Sequence, residues 1–364
     1  SSNLVQNGDF SEIGSEEVSN GSFSEEGSEL ITNGDFATDS NWAKETGWTI
    51  SGGKAVRDNI LGTGKLIQTI SITNGTTYKV YFDWEKIGSD AVLYAKVGNI
   101  WASSISASGS YSFNIVSGST TDFLFEVGGN NPQGTIDNVS VKEVGQDWTL
   151  TDGCSITAQG ARITSDGTFQ SITQLSILTI GKIYELEYEI TEYVSGVLSA
   201  EGTFGVGVLL EQTVGVHKLT ANCISGNLLI KRAGSCDITI TNISVKEVGQ
   251  DWTLTGTATI GNNLANINSP SGENAEIYQS SVLVIGNKYK LECTLNKTSG
   301  DTQFVNGGTF VLNNGSNIIE FTATQARVYF KRGAGSVISS ITNISVIEIT
   351  DDTNLPRINY SGFT

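Results

Sequence analysis

Asn138–Leu150 reads NVSVKEVGQDWTL, and Asn242–Leu254 reads NISVKEVGQDWTL. A thirteen-letter phrase thus recurs almost unchanged 104 positions later (242 − 138). Its first half alternates Ile243, Val245 and Glu247 against Ser244, Lys246 and Val248, the period of a strand. A Gly turn and a second strand beginning at the Trp follow. A third copy of the first half, NISVIEI, stands at Asn343–Ile349. The phrase therefore reads as a joint, the last strand of one domain running into the first strand of the next, and it predicts tandem domains with bodies at 30–144, 145–248 and 249–349. A second landmark recurs in step. Tyr78, Val80, Phe82 and Trp84 are in phase with Tyr184, Leu186, Tyr188 and Ile190, and with Tyr289, Leu291, Cys293 and Leu295. One face of that strand is apolar in every copy. The other carries Lys79, Tyr81, Asp83 and Glu85, or their counterparts Glu185, Glu187 and Glu189. Clean alternation predicts antiparallel sheets with one solvated face, and about 100 residues of such strands per repeat fit a two-sheet sandwich. The 42 glycines in 364 residues, well above the usual ~7%, supply the turns of an all-β chain.

The formal charge of −17 argues against a nucleic-acid partner, which requires clustered Lys and Arg. No run of 18 apolar residues exists, so membrane insertion is not expected. The chain has no Met and no basic or apolar leader, the pattern of a processed or partial chain. Cys154, Cys223, Cys236 and Cys293 form no CxxC pair, which argues against zinc. Buried thiols are the expectation for them, with a disulfide among Cys154, Cys223 and Cys236 left open.

Before the first repeat, NGDF at Asn7, NGSF at Asn20 and NGDF at Asn33 recur with a period of 13. Residues 1–29 hold seven acids and no Lys or Arg. Each stub is too short to bury a core of its own. Either this acidic arm is disordered or, the reading favoured here, it is ordered within an assembly and lends strands to a neighbouring subunit by edge addition. Residues 350–364 have no strand period and read as an extended tail.

LITNGDFATDSNWAKETGWTISGGKAV, then YKVYFDWE and GTIDNVSVKEV, resembles the carbohydrate-binding-module type of jelly roll in the galactose-binding-like group. The match is strongest over 30–144 and extends to 349, although the second and third repeats read as having lost NGDF. Tandem copies ending in TNLPRINYSG also resemble virion proteins of tailed bacteriophages. The resemblance implies three jelly-roll β-sandwich domains between arm and tail. It also implies a structural calcium in the first, with Asn33, Asp35 and Asp137 as ligands, weakened by Ala37 where an acid often stands. Thr241 and Thr342 replace Asp137 in the later repeats, so no calcium is expected there. No other cofactor is expected.

Trp48, Trp148 and Trp252, each followed by Thr and an aliphatic residue, are expected to be equivalent core residues. Sugar recognition stacks an exposed aromatic face against C–H groups and places polar neighbours at the hydroxyls. Trp42, Trp101, Tyr81 and Asp83 are the candidates for it. No catalytic set emerges. The lone His217 lies in a strand pattern, the glycine clusters lack the Lys-Ser/Thr of a phosphate loop, and no paired carboxylates mark a cleft. The Asn-x-Ser matches at Asn138, Asn242 and Asn343 fall on the closing strand, which favours packing over glycosylation. The expectation is a non-enzymatic virion protein, a fibre, tail appendage or head decoration. Its expected partners are copies of itself, as a trimer, other virion proteins and host surface glycans. The alternative is a secreted or cell-surface adhesin, or an accessory module of a polysaccharide-degrading enzyme.

Overall fold

A computed structural model describes residues 2–102 and 104–350, and among these the regular elements are all strands. No helix of the described residues is long and apolar enough to cross a membrane. The tail expected from residue 350 falls, but for its first residue, outside the described residues.

The strands assemble into six antiparallel sheets, which pair into three sandwiches. In the first, Ala43–Lys44, Gly64–Thr69, Asp122–Gly128, Val92–Val97 and Ile100–Trp101 lie side by side in that order. They face a sheet ordered Trp48–Ser51, Lys54–Arg57, Gly134–Glu143, Thr77–Lys86, Gly109–Val116. The same order recurs around Ile183–Ser195 and Cys236–Val248, and again around Lys288–Ser299 and Val337–Glu348. One hydrophobic cluster fills each sandwich. The alternation seen in the sequence is the cause. Tyr78, Val80, Phe82 and Trp84 and both later sets are buried, while Lys79, Tyr81, Asp83 and Glu85 stay on the outer face. The protein is an all-β chain of jelly-roll-type sandwiches.

The Asn of the joint has a backbone role. Asn138, Asn242 and Asn343 take φ of 52°, 48° and 53°, where Asn is tolerated better than most residues. Each sits at a bulge in the closing strand. The side-chain amide holds the bulge from outside in two copies, donating to Asp83 Oδ2 at 2.7 Å and to Glu189 Oε2 at 2.7 Å. This accounts for the recurring Asn-x-Ser by packing.

The arm folds back on its own chain, and one expectation is corrected: the later repeats have not lost their NGDF. Asn33–Phe36 packs into the first sandwich, with Phe36 5.3 Å from Trp42. Phe23 joins the second core, 4.9 Å from Trp148, and Phe10 the third, 5.3 Å from Trp252. The indoles of Trp42, Trp148 and Trp252 donate to the carbonyls of Asn33, Asn20 and Asn7, each at 3.0 Å. Trp42, not Trp48, is therefore the counterpart of Trp148 and Trp252. Trp48 opens the neighbouring strand and donates instead to Gly64 O.

The three seats agree in detail. Buried Gln68, Gln174 and Gln279 each bond both the N–H and the C=O of Thr32, Ser19 and Gln6. The carbonyls of Gly34, Gly21 and Gly8 accept the N–H of Val139, Ile243 and Ile344, each at 2.9 Å. A Cβ at Gly21 would come within 1.9 Å of Ile243 O, so only glycine permits this approach. Burial of each Phe adds about 1.5–3 kcal/mol.

Between seats the chain enters and leaves each inner body at one point. Glu26 bridges Val144, and Gly27 donates to Glu143 O. Ile13–Glu16 pairs with the end of Cys236–Val248, Ile13 opposite Val248. The body spanning 27–144 is thus inserted between stub and body of the second sandwich, and 14–248 between stub and body of the third. The arm is no separate domain. It contributes to all three cores in reverse order. The four cysteines are buried and free, so the disulfide left open among Cys154, Cys223 and Cys236 is not formed.

Candidate functional site

The sugar-binding candidates from the sequence do not converge. Trp42 is a correction: it is only 6% exposed, wedged between Phe36 and Phe123, and its ring has no free face. Tyr81 and Asp83 share the outer face of Thr77–Lys86, but Asp83 is committed to the fold. Its Oδ1 accepts Tyr81 OH at 3.0 Å and Ser110 Oγ at 2.5 Å, while Oδ2 accepts the bulge amide of Asn138. These donors, Asn138 foremost, hold its carboxyl below the usual carboxylate range. Asp83 lines a shallow depression with Lys54, Glu85, Thr135 and Asp137.

Of the calcium set, Asn33 is also corrected. Its side-chain oxygen accepts Thr38 N, and its NH2 donates to Thr38 O and Ser40 O, so the amide is spent inside its own loop. Asp35 caps Ala37 N, and Asp137 caps Asn138 N at 2.7 Å. In the later sandwiches Thr241 and Thr342 occupy Asp137's place and donate to Ser22 O and Asp9 O, closing that corner with a hydroxyl. Among the described residues no three His, Cys, Asp or Glu side chains gather in one place. His217 lies in Gly215–Asn222 beside Tyr188, with Nε2 2.6 Å from Thr213 O.

Trp101 remains, and it has neighbours that the sequence reading missed. It stands on the short strand Ile100–Trp101 at one edge of the first sandwich and is 49% exposed. Lys96, paired opposite it, places Nζ 3.0 Å from the centre of the indole ring, a close cation–π contact. Glu126 Oε2 lies 3.4 Å from the same ammonium. Tyr94 meets the indole edge-on at 5.4 Å. The result is an aromatic and charged platform on the outer face of the sheet, with Leu93, Ala95 and Val97 buried beneath it. The signal was present in VLYAKV, where Tyr94 and Lys96 share the polar phase. One indole face is taken by Lys96 and Tyr94 packs against the ring as well, so that Trp101 as a whole is half exposed. The lysine fixes the ring orientation, and its ammonium and the Glu126 carboxylate are themselves largely buried in their own ion pair.

An open cleft of about 490 Å³ lies between the first and second sandwiches, where Lys79, Asn114 and Val116 face Ser155 and Thr157. Asn114 Nδ2 spans it to Ile156 O at 3.0 Å. Its lining is mostly hydroxyl, amide and aliphatic, with no cluster of titratable groups.

No protein-family model matches the chain, and no curated protein matches it. Several solved structures are similar. The N-terminal CBM22-1–CBM22-2 tandem domain of Paenibacillus barcinonensis Xyn10C is 12% identical, covering 57% of this chain and 94% of that one, at a TM-score of 0.23. A chain of the Sulfolobus Turreted Icosahedral Virus is 11% identical, covering 85% and 90%, at 0.19. A chain from the structure describing the triple jelly roll fold and turret assembly in an archaeal virus is 11% identical, covering 85% and 89%, at 0.17.

Proposed function

We propose that the chain is a structural and adhesive protein of a bacteriophage particle: a fibre, tail appendage or head decoration. Its first sandwich touches host surface glycans through Trp101. Its three tandem bodies, 30–144, 145–248 and 249–349, are modules of a homo-oligomer, three-fold in our reading, that is held among other virion proteins. The observation that carries the glycan contact is the Trp101 ring, half exposed and braced by Lys96 and Tyr94. A fixed, half-exposed aromatic face suits a saccharide, which offers C–H groups to the ring. Pre-bracing lowers the ordering cost of binding.

The test is binding to a glycan panel and to host-type cells by the unaltered chain, Trp101→Ala and Tyr94→Ala. Saturable binding that falls at least about tenfold in Trp101→Ala, with unchanged melting, supports the reading. Binding that survives Trp101→Ala, or no binding up to high micromolar protein, overturns the glycan contact. Mass spectrometry of purified particles decides between a virion protein and a secreted adhesin or accessory module that would use the same platform.

A further inference from the structure

We propose that the seat on the third sandwich is a recognition site for an Asn-Gly-Xaa-Phe segment whichever copy of the chain supplies it, and that the first stub of one copy seats on a second. The seats are interchangeable in geometry. Asn7, Asn20 and Asn33 have φ of 44°, 47° and 58°, and Phe10, Phe23 and Phe36 have 57°, 58° and 49°. Each stub meets the same set of partners: a Trp indole on the Asn carbonyl, a buried Gln clasping the residue before the Asn, and a closing-strand N–H on the Gly carbonyl. None of these contacts involves the connecting chain.

The first stub and its body are joined only through the insert 14–248. That tether acts by raising local concentration, not by adding contacts. A swapped arrangement preserves the contacts of the closed one, which makes exchange an inexpensive route to assembly. The first stub also lacks one anchor that the other two have. Glu29 accepts Val141 N and Ser140 Oγ, and Glu16 accepts Val245 N and Ser244 Oγ. At the equivalent place the uncharged Asn3 accepts Val346 N alone from the closing strand among the described residues. Lys79 and Lys142 further pin Glu26 in the linker before the innermost stub. Exchange therefore begins at residues 2–13.

The test uses full-length chains. A labelled peptide of residues 1–13 is titrated into Phe10→Ala, whose own stub is weakened, and followed by anisotropy. Separately, the unaltered chain is concentrated near the onset of melting, cooled and sized by light scattering. The expected results are one peptide bound per Phe10→Ala chain, at least about tenfold weaker binding of the same peptide carrying Phe10→Ala, and a species of doubled mass that excess peptide dissolves. Should Phe10→Ala lose cooperative melting, Phe10→Leu serves as the weakened chain. A cooperatively melting variant that ignores the peptide overturns the recognition site. A chain that takes the peptide but keeps one mass at every concentration, or a doubled species that excess peptide leaves intact, overturns exchange with a second copy.

Discussion

The indole Nε1 of Trp252 donates to the backbone carbonyl of Asn7 at 3.0 Å, across 245 residues of sequence. Trp148 does the same to Asn20 across 128 residues, and Trp42 to Asn33 across nine. One local contact and two very distant ones share a single geometry. What a module needs is the stub, and the covalent path by which the stub arrives is secondary. The following expectations come from that geometry and from the charges around it.

Gly21 cannot carry a side chain. A Cβ there meets Ile243 O at 1.9 Å, and that oxygen belongs to backbone that cannot swing aside. Gly21→Ala should lower stability by about 1–3 kcal/mol or more. Gly234→Ala, which meets nothing within 4 Å, should change it little. Urea denaturation of both variants checks this.

Gln174 clasps both polar groups of Ser19 from a buried position. Gln174→Leu keeps much of the volume and leaves two backbone groups without partners. The expected cost is about 1–3 kcal/mol for each group left dry. Hydrogen exchange should show the protection at Ser19 falling first, ahead of the core strand Ile183–Ser195.

The acid limb of stability should depend on the arm. Lys79, and after it Lys142, hold the Glu26 carboxyl below its ordinary 4.5. The folded carboxylate binds its proton at lower pH than the unfolded one. The stabilisation is therefore fully present above about 4.5 and is lost as pH falls through that value toward the depressed folded one. Glu26→Gln should flatten this limb, lowering the melting temperature near pH 7 and by progressively less as pH falls below about 4.5. Thermal melts across that range decide it.

All four thiols are buried and free, and burial pushes Cys293 up to about 12. A thiolate-seeking reagent at neutral pH should leave the folded chain untouched and modify four cysteines in denaturant. Mass spectrometry before and after unfolding counts the adducts. Modification of the native chain would contradict the packing.

Arg57 is 1% exposed, and its guanidinium is held by the carbonyls of Asp58, Ile60 and Gly62 without a carboxylate. By register its counterparts are Ile163 and Ile267, both fully buried, since Ala55, Ala161 and Ala265 pair alike two positions earlier. Arg57→Ile should be neutral or stabilising for the sandwich and should loosen the 58–62 loop, whereas Arg57→Ala should destabilise by leaving a void. Melting temperature and limited proteolysis of the loop separate the two effects.

The legible part of this architecture was local. The NISVKEV strand, the Tyr78 series and its two counterparts announced themselves by a period of two, and their burial follows it. Trp48 was misread because the Trp-Thr-aliphatic match is stronger at Trp48 than at Trp42, while the bond that defines equivalence runs to a backbone carbonyl that no side-chain pattern reveals. The sequence does not tie the first two stubs to the later repeats, because their partners lie 245 and 128 positions away. A count held the clue: three NGDF-type stubs, three Tyr strands, and two bodies without a stub of their own. Of the candidate site, Trp101 was visible as an unrepeated aromatic. Lys96 and Glu126 needed the strand order, which places Asp122–Gly128 beside Val92–Val97.

Because each body sits between the halves of the next, synthesis delivers the pieces out of order. Phe10 leaves the ribosome well before Trp252, its pocket, which is made only after two complete sandwiches have followed. During that interval the arm is a solvent-exposed thread with an apolar hook at each repeat, and its acidic side chains keep it soluble while it waits. The innermost sandwich can close first, then the middle one, and the outermost last, so maturation proceeds from the inside outward and the final step seats Phe10 against Trp252.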